Sequence, residues 1–147
     1  MTVSAVVFDM DGVLFLSRNA HAQAYQEVCR EWGLPEPEYT SLAGMRTDFA
    51  FQELFRQAGR PVSEAEVDVC VKKKRTRARE LLSARPPVDR EAFEVVSHLS
   101  QKWPVGLASS SSARNVELFL KSSGLGSTFK VVLSGDDLLK GKPDPEI

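Results

Sequence analysis

The chain is poor in cysteine, in net charge and in long apolar runs, and each shortage excludes something. Its 147 residues hold 2 cysteines, Cys29 and Cys70, too few for a disulfide scaffold. Each falls in a helical pattern, and both are read as buried free thiols rather than as a bridge. Lysine and arginine number 19 against 20 acidic residues, a net charge of −1, which makes no electrostatic case for nucleic acid or an anionic membrane as partner. No stretch approaches the ~20 apolar residues of a membrane span. The amino terminus also lacks a basic stretch leading into an apolar one, the pattern of a secretory leader. The expectation is a cytoplasmic chain that engages neither membrane nor nucleic acid. No internal repeat is visible, and the serine run 109–112 is the one biased segment.

What is present suits a globular fold: 42% of residues are hydrophobic and 27% charged, over a length of about one ordinary domain. Three short β-rich runs stand out, residues 3–8, 105–108 and 131–133. Helical patterns separate the last two and precede the second. Asp89 reads as an N-cap, with Phe93, Val96 and Leu99 on one face of the next helix. Ser111 or Ser112 opens a further helix, Val116, Phe119, Leu120 and Ser123 face inward, and Gly124 stops it. Strands alternating with helices predict an α/β fold, a Rossmann-like parallel sheet of which three strands are present.

Residues 16–86 break the alternation and read as helices only. A first helix spans about residues 20–32 and ends at Gly33-Leu34-Pro35; a second, about 49–58, ends at Gly59. Ser63-Glu64-Ala65-Glu66 is a capping box, and its helix runs to about Leu82. Arg85-Pro86-Pro87 then breaks the chain. The block reads as an all-helical domain inserted into an α/β domain made of residues 1–15 and 87–147. The basic run Lys72-Lys73-Lys74-Arg75, with Arg77 and Arg79, is expected on a solvated helix face, because Val67, Cys70, Ala78 and Leu81 already supply a buried side.

Chemistry concentrates where strands end. The first apolar run stops at two carboxylates one residue apart, Asp9 and Asp11, with Gly12 next. Open α/β sheets bind ligands at the carboxyl ends of their strands. Acids placed there cost desolvation unless a cation or hydrogen bonds offset it. After the second run comes LASSSS (107–112), a strand end opening onto hydroxyls and a helix start, which suits a phosphate. After the third comes GKPDP (141–145), a lysine whose backbone is restricted by the adjoining proline.

A carboxylate pair, a serine and a lysine, one set to each strand end, resemble the motifs of the haloacid dehalogenase superfamily. The helical insertion directly after the first motif is similar to the cap of its β-phosphoglucomutase and phosphoglycolate-phosphatase branch. The stretches LASSSS and VVLSGDDLLKGKPDPEI are close to that branch's wording. The resemblance implies a hydrolase acting on a small phosphorylated metabolite with Mg²⁺. It implies that Asp9 attacks phosphorus and becomes an aspartyl phosphate. Asp11 would protonate the leaving alcohol and then take a proton from water. Ser109 would donate to a phosphoryl oxygen, and Lys142 would neutralise charge on Asp9 and the phosphoryl group. Donors of this kind are worth roughly 2–4 kcal/mol each. Magnesium would bind the Asp9 carboxylate and the Asp11 backbone carbonyl. Substrate contacts would fall to His21, Arg46, Ser110, Arg114 and Asn115.

Two departures from the family pattern carry expectations. The run Phe15-Leu16-Ser17 stands where the family often has an acid near the hinge. The family's fourth motif, a further acid pair completing the metal site, should come after the lysine. The sequence stops at Ile147, and Gly135-Asp136-Asp137 precedes Lys142, so it reads as the loop leading to the lysine. The expectation is an incomplete core, with an exposed first strand that a second chain supplies with its missing neighbours. The leading function is a magnesium-dependent phosphatase. The alternatives are a sugar phosphomutase, which returns the phosphoryl group to sugar rather than water, and a catalytically incomplete fragment.

Overall fold

The computed structural model describes residues 2–140, 142 and 144, and the chain divides into two compact units, Met1–Ser17 with Pro86–Ile147, and Arg18–Arg85. Among the described residues no helix is long and apolar enough to cross a membrane.

The first unit is built on a parallel sheet of β1 (Val6–Phe8), β2 (Val105–Ala108) and β3 (Val131–Leu133), in that spatial order. Val6 lies opposite Val105, and Gly106 opposite Val131. Helix α5 (Arg90–Ser100) leads into β2, and α6 (Ala113–Ser123) joins β2 to β3. The strand–helix alternation of the sequence is therefore an α/β fold with a parallel sheet. Strand alternation puts Val105 and Leu107 in the core, with Gly106 between them half-buried. There they join Met10, Leu14, Phe15, Val96 and Phe119, all nearly inaccessible. Phe119 of α6 packs on Phe15 at 5.6 Å and edge-on to Phe93 of α5 at 6.0 Å.

The first strand is shorter than its apolar run. The amide of Val6 donates to the Pro104 carbonyl at 3.0 Å. Pro104 has no N–H to continue the ladder toward residues 2–5, and Val3 is left exposed. Other local expectations are met. The Asp89 carboxylate accepts from the amides of Glu91 and Ala92, and Gly124, left-handed, ends α6 by donating to the Leu120 carbonyl.

The second unit is helical: α1 (Arg18–Glu31), α2 (Tyr39–Leu42), α3 (Thr47–Gln57) and α4 (Glu64–Ala84). Ser63 and Glu66 form the capping box reciprocally. Tyr25, Val28, Cys29, Phe51, Phe55 and Cys70 anchor its core, and both cysteines are free thiols. Four-residue α2 has too little sequence to show a period, so its pattern was invisible.

One expectation fails here. Lys74, within the basic run assigned to solvent, is 6% exposed. It lies four residues after Cys70 and four before Ala78, so it shares their buried face. Its ammonium donates to His21 Nδ1 at 3.1 Å and lies 4.4 Å from the centre of the Tyr25 ring. Leu82, rather than Leu81, is the residue fully buried near the end of α4. Lys72 and Lys73 do face outward; Lys73 pairs with Glu31 and Arg77 with Glu27, both across to α1.

Candidate active site

The ends of β1 and β2 lie side by side, so the turns leaving the two strands meet. After β1 the chain turns on Met10, whose carbonyl accepts from the amides of Leu14 and Phe15 at 3.0 and 2.9 Å. Gly12 takes φ 79° in that turn, a left-handed value that side chains disfavour. The turn leaves Asp9 and Asp11 partly accessible while Met10 between them is fully buried.

Lys142 Nζ donates to Asp9 Oδ1 at 2.8 Å and to the carbonyl of Ala108, the last residue of β2, at 3.0 Å. An ammonium is thereby held between two strand ends against a carboxylate that is 40% exposed. Asp9 Oδ2 takes no hydrogen bond from the described residues. Carboxylate and carbonyl oxygens are the donors a small divalent cation takes, though among the described residues no three His, Cys, Asp or Glu side chains are grouped to hold one.

Asp11 is held by hydroxyls. Its Oδ1 accepts from Ser17 at 2.6 Å; its Oδ2 accepts from Ser111 at 2.6 Å and, more weakly, from Ser109 at 3.4 Å. Ser109 is fully buried because its amide extends the sheet, donating to the Leu133 carbonyl at 3.0 Å. The Ser110 hydroxyl is buried with no hydrogen-bond partner among the described residues. Ser112 occupies the N-cap of α6, yet its hydroxyl makes no cap bond. Asp136 supplies that bond from the loop after β3, its Oδ2 accepting from the Ala113 amide at 2.9 Å.

That loop presses on the serine run. The Gly135 amide donates to the Ser111 carbonyl at 2.7 Å, and a Cβ at Gly135 would collide with the Ser110 carbonyl. Asp137 accepts from the amide and hydroxyl of Ser134, each at 2.7 Å, and these bonds hold its carboxyl below the usual range. Both acids of Gly135-Asp136-Asp137 thus serve the backbone of the loop and of α6.

The remaining sequence candidates are distributed differently. Arg114 is exposed on the first turn of α6, and Asn115 is buried beside it. In the helical unit His21 is buried in α1, stacked on Tyr39 with ring centres 6.4 Å apart. An ammonium only donates, so the Lys74 contact makes His21 Nδ1 an acceptor. Arg46 grips Asp48 through Nε at 3.1 Å and Nη2 at 2.6 Å and lies over the Phe49 ring. Burial raises the Asp48 carboxyl, but the bonds from Arg46 and the Phe49 amide outweigh it and leave the pKa low.

Sequence reasoning missed Ser17, Ser111, Gly135 and Lys74. Ser111 lay hidden in a run of four serines. Ser17 had no motif around it, and Gly135 matters through a neighbour more than twenty residues away.

The profile of the haloacid dehalogenase-like hydrolases matches residues 3–147. A Thermotoga maritima protein, "Phosphorylated carbohydrates phosphatase", is 32% identical over 156 residues, 99% of this chain and 67% of that protein. The beta-phosphoglucomutase of Bacillus subtilis is 26% identical over 154 residues, 99% of this chain and 66% of its own. A solved hydrolase from Pseudomonas syringae has a TM-score of 0.84 at 22% identity, covering 98% of this chain and 66% of that one, a likeness of fold. The chain spans about two thirds of the length of the relatives it matches, 67% and 66% of these two.

Proposed function

This chain belongs to the haloacid dehalogenase-like hydrolases, and we propose that it hydrolyses a small phosphomonoester, with Mg²⁺, through an aspartyl phosphate on Asp9. The observation that carries the reading is the Lys142 ammonium, 2.8 Å from the Asp9 carboxylate at the carboxyl end of the sheet. A carboxylate and a phosphate repel each other, and a cation fixed beside the nucleophile offsets that repulsion.

The proposed steps need a nucleophile, an acid and a base. An Asp9 oxygen attacks phosphorus while the bond from phosphorus to the ester oxygen breaks, its electron pair staying on that oxygen. The protonated Asp11 carboxyl gives its proton to the departing oxygen, so an alcohol leaves. The Asp11 carboxylate then takes a proton from water as that water attacks the acyl phosphate, releasing inorganic phosphate and restoring Asp9. Ser109 donates to a phosphoryl oxygen, with Ser110, Arg114 and Asn115 beside it on the loop and first turn of α6. His21 and Arg46 are the substrate contacts we assign to the helical unit. Asp9 and the Asp11 carbonyl would hold magnesium, which when bound screens the negative charge of the phosphoryl group.

A phosphorylated carbohydrate is the first substrate class to test, because a relative 32% identical carries that name. The runner-up, transfer of the phosphoryl group to sugar, rests on the relative named beta-phosphoglucomutase; activation by a sugar bisphosphate would favour it. The deciding assay is release of inorganic phosphate from 4-nitrophenyl phosphate and from a panel of sugar phosphates, with Mg²⁺ and with EDTA. Turnover is expected only with the metal, and Asp9→Asn abolishes it because an amide forms no acyl phosphate. Full turnover by Asp9→Asn would refute the nucleophile.

A further inference from the structure

Resting on the phosphatase reading above, we propose that two serines of the second motif divide their work: Ser111 is the positioning residue of the Asp11 acid–base carboxylate, and Ser109, not Ser111, faces the phosphoryl group. A serine hydroxyl has one proton to give. Ser111 donates its proton to Asp11 Oδ2 at 2.6 Å, a short charge-assisted bond, whereas Ser109 stands at 3.4 Å from the same oxygen. The proton of Ser111 is committed; that of Ser109 is only weakly engaged.

The setting of Ser111 supports a positioning role. Its amide donates to the Ser109 hydroxyl oxygen at 3.1 Å, and its carbonyl accepts from Gly135 at 2.7 Å. Both backbone groups of Ser111 are therefore tied, and its side chain meets Asp11 with little conformational freedom left to lose. On the opposite oxygen of Asp11, Ser17 donates at 2.6 Å from a fully buried position whose amide is bonded to the Phe15 carbonyl at 2.7 Å. Each carboxylate oxygen thus has one short hydroxyl contact from a separate segment, which fixes the plane of the carboxyl group. The turn after β1 aims Asp11 only as far as Cβ; the hydroxyls of Ser17 and Ser111 help set the rest. In this role Ser111 acts through Asp11.

The two roles separate by leaving group. An alkyl phosphate needs its departing oxygen protonated; 4-nitrophenyl phosphate, whose phenol is acidic, needs this far less. In the full chain with Mg²⁺, Ser111→Ala is expected to lose at least about tenfold more kcat/KM on an alkyl phosphate than on 4-nitrophenyl phosphate, within the range of general-acid effects. Ser109→Ala loses a similar factor on both. Ser111→Thr restores the alkyl rate, and Ser111→Val, close to threonine in shape but without the donor, does not. Equal losses on the two substrates, or recovery in Ser111→Val, overturn the proposal. A readout that needs no turnover keeps it separate from the phosphatase reading. The carboxyl ¹³C signal of Asp11 is expected to move in Ser111→Ala and Ser111→Val and to return in Ser111→Thr; an unmoved signal overturns the Ser111 role. Activity retained in Asp9→Asn refutes the phosphatase mechanism alone.

Discussion

Lys142 does at residue scale what no local pattern could arrange. Its ammonium bridges Asp9, after β1, and the carbonyl of Ala108, at the end of β2, across 133 and 34 residues of chain. Because its side chain is only 32% exposed, the charge acts with less screening than a surface lysine's. Lys142→Met keeps the length and removes the charge. It is expected to lower kcat for 4-nitrophenyl phosphate by about 10²–10³, the range found when a donor to developing charge is removed. The check is steady-state kinetics beside a circular-dichroism spectrum that stays unchanged. Asp9, Asp11, Ser109 and Lys142 were legible in the sequence because each stands shortly after an apolar run. Ser17 and Ser111 were not, because a hydroxyl's partner depends on where a distant carboxylate arrives.

At the scale of elements, the loop after β3 is as much a part of the site as the motif it supports. Gly135 lies against the Ser110 carbonyl with no room for a side chain, and Asp136 caps α6 in place of Ser112. Gly135→Ala is expected to push the 109–112 segment away and to cut turnover by an order of magnitude, about the cost of misplacing reacting groups by an ångström or less. Its Tm should fall by a few degrees, since overpacking costs about 1–3 kcal/mol. Kinetics and a melting curve on the one variant check both. The Ser63–Glu66 capping box and the Gly124 stop were readable because their partners lie within four residues. The start of β1 was misread because Pro104, at the head of another strand, ends the ladder.

At the scale of the whole molecule, stability should depend on pH through the helical unit. Burial pushes the thiols of Cys29 and Cys70 up to about 11 each, from 9.0. The folded chain therefore keeps protons that the unfolded chain has already released between about pH 9 and 11. Their contribution is complete below pH 9 and is lost as pH rises through the folded value. The urea midpoint should fall between pH 7.5 and 10.5, and in the Cys29→Ala/Cys70→Ala variant it should fall less. Native chain should also resist iodoacetamide at pH 8, since the thiolate is the reactive form.

By itself the sequence determined the alternation of strands and helices, the run of helices between the first two strands, most helix caps, and the positions of the acids, serines and lysine that come after apolar runs. Those features are written in periodicity and in contacts spanning a few residues, where chain geometry leaves few alternatives. Tertiary structure decided which of four adjacent serines binds Asp11 at short range, which lysine of a basic run is buried on His21, and which acid caps α6. Each of those choices depends on the register between segments far apart in sequence. A hydrogen bond is made or missed over less than an ångström, so only the folded chain could make them.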